Sequence, residues 1–429
     1  MKYSILWYII MILKEDIEES KERMDAWWDH EIIDRPVISY YFSKKRSGIG
    51  GYLDALGQDW RIAKNPEDIE RALDKFEKTA GKTFYGGEAI PSYFPNYGPG
   101  IVAAIFGVEP KFQSETVWFS RPTKQEEIIS LLESVKLNQN NEWYSRILRI
   151  TEYAVKRAKE NYQVSITDLG GVLDILSSFL GPTNLLLTMK RKPHIIDTCR
   201  EIILEKLIKI YDKLYEMIKR DCKGFNTWLN VWCRKSWYPV QCDFIAMLNP
   251  KWFKRFALPD IIAQIEHMDY AIYHMDGPYQ IPFLDDFLSI SHLTGIQWVS
   301  GAGRQPQGSE EWFPIYKKIQ KAGKNIIIDT LSEKVPHIYR NLEHKGLYVR
   351  TYYSSKTIAD FYLPPFIGGG DGKLIEEAIS WVKSNKYSSL NKEVLEEFLK
   401  TRHYEFESGV KLKLLKQINS SLKEKLYFT

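Results

Sequence analysis

One pattern constrains this chain more than any other: short apolar runs that end in polar side chains and glycine, separated by helical stretches. The clearest copy is Tyr270-Ala271-Ile272-Tyr273, which leads into His274-Met275-Asp276 and stops at Gly277-Pro278. It recurs at Gly295-Ile296-Gln297-Trp298-Val299, closed by Ser300-Gly301-Ala302-Gly303. A strand covered on both faces reads as a continuous apolar run, and this is the habit of parallel sheets flanked by helices. Such folds present their chemistry at the carboxyl ends of the strands. The pattern therefore points to a fold and to the place where a site should lie.

Other segments extend the alternation. Residues 14–29 are amphipathic and end in Ala26-Trp27-Trp28, and Val37-Ile38-Ser39-Tyr40-Tyr41-Phe42 reads as the first strand. Helices are expected at 67–79, 123–136, 143–160, 195–220, 251–267, 311–322, 332–343 and 373–384. Strands are expected at Gln163–Ile166, Thr227–Trp232, Asn325–Ile328 and Leu347–Arg350, with an aromatic loop from Trp232 to Gln241. The stretch Phe84–Phe119, rich in Gly, Pro and aromatics, reads as a long insertion, and loops of that length are usually functional. No GxGxxG or GxxxxGK[ST] turn accompanies these units. That favours an α/β (β/α)8 TIM barrel over an open nucleotide-binding sheet, with no connection that demands an antiparallel strand. One barrel domain is expected over 14–385, followed by a lysine-rich helical extension over 386–429 that serves as a packing arm or a homodimer contact.

Charge and cysteine content narrow the function classes. A formal net charge of +4 over 429 residues carries no sign of a nucleic-acid or acidic-membrane partner. The four cysteines, Cys199, Cys222, Cys233 and Cys242, form no CxxC pair and no disulfide framework, so a reducing, cytoplasmic setting is expected. The apolar run over 1–13 is shorter than the roughly 20 residues a membrane helix needs, and acidic Glu15, Asp16, Glu18 and Glu19 follow it. It reads as a start-site extension over 1–10, with Met11 as the start, against the rival of an apolar segment packed on the body.

The strand ends nominate the site. His274 and Asp276 lie two apart on one strand and so share a face. An imidazole and a carboxylate so placed can ligate a metal or act as a base and its orienter. Cys242 can join them in a zinc site with an open position. Asp168, which ends a strand before Gly170-Gly171, is a second candidate catalytic carboxylate, or a helix cap. Gln241, Asp243, Gln297, Trp298 and Asp329 follow the same strand-end logic as substrate contacts. Trp228, Trp232, Trp237 and Tyr238 form an aromatic cluster that can wall a pocket or pack the core. Lys44, Lys45, Arg46, Arg304 and Arg350 are candidate carboxylate clamps.

These segments together resemble the uroporphyrinogen decarboxylase superfamily, and within it the branch of corrinoid-dependent methyltransferases. The resemblance is carried by Ala26-Trp27-Trp28 with Ile33-Asp34-Arg35-Pro36, by Asp168-Leu169-Gly170-Gly171 through Asp174, and by Gln241-Cys242-Asp243-Phe244. Leu248-Asn249-Pro250 with Phe253, Phe256 and Leu258-Pro259, then His274 through Pro278, and Gly295 through Trp298, complete it. It implies a (β/α)8 barrel and transfer of a methyl group between methylcobalamin, or another corrinoid on a carrier protein, and a small molecule. It also implies zinc on a His-x-Cys pair; here Asp276 stands where that cysteine would be. The alternatives are a carboxy-lyase acting on a carboxylated substrate and a non-catalytic barrel-shaped binding protein. The family's R-Q-A-G-R loop is absent from Tyr41 to Gly48.

Overall fold

Strands of unbroken apolar sequence organise the chain. In order they are β1 (Val37–Ser43), β2 (Thr83–Gly87), β3 (Ser92–Tyr93), β4 (Pro110–Phe112), β5 (Val117–Phe119) and β6 (Gln163–Val164). They continue with β7 (Trp237–Gln241), β8 (Tyr270–Asp276), β9 (Gly295–Val299), β10 (Asn325–Asp329) and β11 (Leu347–Tyr352). This computed structural model describes residues 13–44, 68–113, 117–121, 123–158, 161–353, 356–367, 373–385 and 391–401, with 415, 418 and 419. The N-terminal extension over 1–10, Lys45, Arg46 and most of the lysine-rich tail lie outside the described residues.

Seven strands form one sheet in the order β2-β1-β11-β10-β9-β8-β7. All neighbours in it are parallel except β2, which runs antiparallel to β1. Helices cover the intervals between the later strands: Leu258–Glu266 before β8, Phe313–Lys321 before β10 and Val335–Asn341 before β11. A separate parallel pair, β3 with β6, continues through a bridge from Ser165 to Asn226, and β4 with β5 is an antiparallel hairpin. The architecture is thus α/β with a mostly parallel central sheet, whose Ile272, Ile296, Ile327 and Val349 are fully buried.

Three local expectations need correction. Thr227–Trp232 is not a strand; Asn230 adopts φ +54°, in the left-handed region, and breaks any extended run there. The strand is the next segment, β7, expected as a loop. Its Pro239 is tolerated because β7 pairs only with β8 and leaves its other edge free of named partners. The segment 84–119, expected as a long loop-like insertion, carries strands and a helix and packs into the body. β2 joins the main sheet, Phe42 stacks on Phe84 at 4.4 Å, and Tyr97 and the helix Ile101–Ile105 are buried. The run after Gly171, for which no element was expected, forms two helices, Val172–Leu180 and Pro182–Arg191, joined at Gly181. Beyond the sheet, the helix Lys392–Thr401 packs on Lys373–Ser384 through Phe398 and Trp381, whose ring centroids lie 5.7 Å apart.

Candidate functional site

Register builds the site. Gln241 pairs with His274, and His274 pairs with Gln297, across β7, β8 and β9, so three polar side chains occupy one level on one face. Asp329 and Arg350 are paired at the ends of β10 and β11. The side chains then join across the strands. Arg350 grips Asp329 with two parallel bonds, Nε to Oδ1 at 2.8 Å and Nη2 to Oδ2 at 2.6 Å. Gln297 Nε2 donates to Asp329 Oδ2 at 3.1 Å, which turns Gln297 Oε1 toward His274 Nδ1, with which it is in hydrogen-bond contact. Arg350 Nη1 also donates to the carbonyl of Leu229, tying in the irregular segment after Asn226.

A cavity of about 280 Å³ opens over this network. Its polar wall is Tyr41, Asn230, His274, Gln297, Asp329 and Arg350, and Phe94, Trp228, Leu229 and Val299 supply the apolar part. Trp228 meets the His274 ring edge-on at 5.1 Å. This volume lies at the small end of ligand sites, which suits a compact substrate.

On the same strand end, Asp243, His274 and Asp276 offer ligand atoms that all lie within 4.8 Å of one another. Asp243 is placed by a turn, not by a strand. The Asp174 carboxylate accepts the backbone N–H groups of Asp243 (3.1 Å) and Phe244 (2.8 Å), and so caps the tight helix Asp243–Met247. Gly171 is needed for that approach, since a Cβ there would sit 2.4 Å from the Gln241 carbonyl oxygen. Burial raises the pKa of Asp174, and the nearby Asp243 raises it further. Asp243 is also pushed up by the protein around it; His274 opposes this and Asp276 adds to it.

Asp168 sits beside this group. Its Oδ1 accepts from Gly170 N–H (2.9 Å), Gln241 Nε2 (2.9 Å) and Tyr238 O–H (3.3 Å), and Tyr238 O also accepts from Leu169 N–H (2.7 Å). Burial raises its pKa to about 6, against the opposing pull of these bonds and of His274. Asp168 does not cap the following helix, whose capping position is Gly171.

Among the residues nominated from sequence, the structure gathers Asp168, Gln241, Asp243, His274, Asp276, Gln297 and Asp329 at one end of the sheet. Four lie elsewhere or act indirectly. Trp298 has the opposite parity to Gln297, is fully buried and packs on Trp312 at 5.1 Å, outside the cavity. Trp232 lies at the amino ends of the strands, where its carbonyl accepts from Trp28 Nε1 at 2.8 Å. Tyr238 is buried against Tyr211 and reaches the site only through Asp168. Cys242 is buried, which pushes its thiol pKa well up, and Asp243 takes its expected place beside His274 and Asp276. Sequence reading overlooked Tyr41, Phe94 and Asn230 in the cavity wall and Asp174 as the brace of Asp243. Asp174 follows Gly170-Gly171 by a few residues, the one signal that could have marked it.

Among the described residues, no single helix is long and apolar enough to cross a membrane. No protein-family model matches this chain, and no curated protein matches it. Among solved structures, it is similar to a methyltransferase from Methanosarcina mazei, with a TM-score of 0.53 and 12% sequence identity, over 78% of this chain and 93% of that one. At this level of identity the likeness is one of fold, and it is the mostly parallel α/β architecture that the two chains share.

Proposed function

We propose that this chain is a methyltransferase of the uroporphyrinogen decarboxylase-like superfamily, with its parallel strands in a (β/α)8 barrel. It would move a methyl group between a corrinoid carrier and a small acceptor or donor. The observation that carries the reading is the convergence of Asp243, His274 and Asp276 at one strand end, in a chain whose fold resembles that of a methyltransferase. One imidazole nitrogen and two carboxylates form an acceptable three-ligand set for a catalytic zinc with an open position, without a thiolate. A bound cation would supply Lewis-acid activation of the small substrate. The chain's own residues do the rest. His274 and the two aspartates would hold the cation, and Asn230 and Tyr41 supply the polar wall that the substrate would face. Phe94 and Trp228 cover it and limit water. Asp168, close to His274 and with a raised pKa, is suited to hold a proton near neutral pH.

The carboxy-lyase alternative needs a free carboxylate clamp in the cavity wall. Arg350, its best-placed clamp, is already engaged by Asp329 and the Leu229 carbonyl. The purified protein should bind about one equivalent of zinc or a similar divalent cation, and should demethylate methylcobalamin in the presence of the right acceptor. Absence of metal uptake, together with an unchanged cobalamin spectrum over a panel of thiols, alcohols and tetrahydrofolate, would sink the proposal.

A further inference from the structure

The network behind His274 has more order than a substrate pocket requires. A neutral histidine can carry its proton on either ring nitrogen, and the bond made by one nitrogen decides what the other can do. On the cavity side, a chain of partners removes that freedom. Arg350 is held bidentately by Asp329, with side chains only 12% and 33% exposed. Such a pairing fixes both position and plane. Asp329 accepts only from donors, so Gln297 must present its amide nitrogen to Asp329 and its oxygen to His274. Facing an oxygen, Nδ1 must carry the proton. The lone pair therefore resides on Nε2.

We propose that Gln297 is a positioning residue: braced by Asp329 and Arg350, it holds His274 in the Nδ1–H tautomer and reserves Nε2 as the donor atom toward Asp243 and Asp276. This rests on the cation reading of that group only for its effect on metal affinity; the tautomer itself does not depend on it. Metal-binding histidines commonly donate their other N–H to an oxygen, and removing that oxygen costs roughly 10–100-fold in metal affinity. Here the oxygen is a neutral amide held in place by an ion pair. The ring is thus oriented without a carboxylate directly on Nδ1, and with no negative charge added beside two aspartates.

The test uses the full chain labelled with 15N-histidine and stripped of metal by chelation, at a pH where the ring is neutral. Long-range 15N–1H spectra of the wild type should show His274 protonated on Nδ1, with assignment from loss of the signal in His274→Ala. Gln297→Met keeps the length of the side chain and removes the oxygen. It should shift His274 away from a pure Nδ1–H form and lower zinc affinity about 10–100-fold by competition titration. Wild-type His274 protonated on Nε2 overturns the proposal without any variant. So does a Gln297→Met protein that keeps both the tautomer and the affinity of the wild type. If the wild type shows the Nδ1–H form but binds no zinc, the positioning role stands and the cation reading of Asp243, His274 and Asp276 fails.

Discussion

At their amino ends the sheet strands are closed by aromatic rings, whereas at their carboxyl ends they carry hydrogen-bonded polar side chains around a cavity. Trp28 lies within 4.8 to 5.2 Å, centroid to centroid, of Trp27, Trp237 and Tyr270, the last two being the first residues of β7 and β8. Trp27 Nε1 donates to the Gly346 carbonyl just before β11, and Asn325 Nδ2 at the start of β10 donates to the Trp27 carbonyl. Both of these side-chain nitrogens serve the backbone of a neighbouring element. At the other end, Gln297, Asp329 and Arg350 serve each other and His274. One end spends its side chains on joining the N-terminal helix to the sheet. The other accepts buried charge and raised carboxylate pKa values, conditions that oppose stability and favour chemistry.

The largest expected effect tests this division from the amino end. Trp28→Ala removes a fully buried ring with three aromatic neighbours, and by analogy with other aromatic truncations should cost about 3–5 kcal/mol of unfolding free energy. Chemical denaturation measures it. Divalent-metal uptake by the folded variant should be unchanged, because Trp28 touches nothing at the carboxyl end. Equal loss of stability and of metal uptake would break the comparison.

Next in size is Asp168→Asn, probed in the metal-free protein. The folded chain raises this carboxyl from its usual 3.8 to about 6, chiefly by burial. A raised acid pKa means that the folded state binds more protons than the unfolded state between those values. Wild-type stability should therefore fall as pH rises from about 4 to about 6, and then level off. The asparagine keeps an oxygen for Gly170 and Gln241 but carries no charge. It should be more stable than wild type by up to about 3 kcal/mol at pH 8, with the gap closing below pH 4. A pH-independent difference, or a less stable variant at pH 8, would show that the carboxylate is stabilised in place.

The carboxyl end was the more legible of the two from sequence, for a physical reason. A polar side chain at the end of an apolar run has few structural uses, so Gln241, His274, Asp276, Gln297 and Asp329 stood out. Their coming together follows from register alone. What escaped needed knowledge of turns and parity. Asp243 reaches His274 through a short helix braced by Asp174, which no periodicity announces. Cys242 was favoured for its thiol chemistry, yet it is its neighbour that reaches the group. Trp298 and Trp232 carried the right side-chain type on the wrong face or at the wrong end. The β7 strand was hidden by Pro239, and the segment before it looked like a strand because its Trp and Val residues favour extended structure. The packed role of residues 84–106 was illegible because glycine and proline density signals a loop and says nothing of burial.

His274→Ala addresses the site directly. Loss of the one nitrogen donor leaves two carboxylates, and zinc affinity should fall by about 100-fold or more, equivalent to roughly 2.8 kcal/mol, by competition titration. Cys242→Ala should leave zinc affinity within error, since the thiol is outside the group. If Cys242→Ala lowered zinc affinity as much as His274→Ala, the ligand set would be the one expected from sequence, with Cys242 in place of Asp243.

The smallest expected effect concerns the rim. Met247, Tyr279 and Leu331 are 54%, 70% and 51% exposed, and each lies on the segment just after a site residue: Asp243, Asp276 and Asp329. The amino-end cap buries the rings of Trp27, Trp28 and Trp237; the carboxyl rim leaves Met247, Tyr279 and Leu331 exposed. If Tyr279 contributes nothing to the fold, Tyr279→Ser should change the unfolding free energy by less than about 0.5 kcal/mol, as substitutions at exposed positions generally do. A loss above 1 kcal/mol would mean that the ring is covered in solution, either by a segment outside the described residues or by a second copy of the chain. A dependence of that loss on protein concentration separates the two, because only association follows mass action.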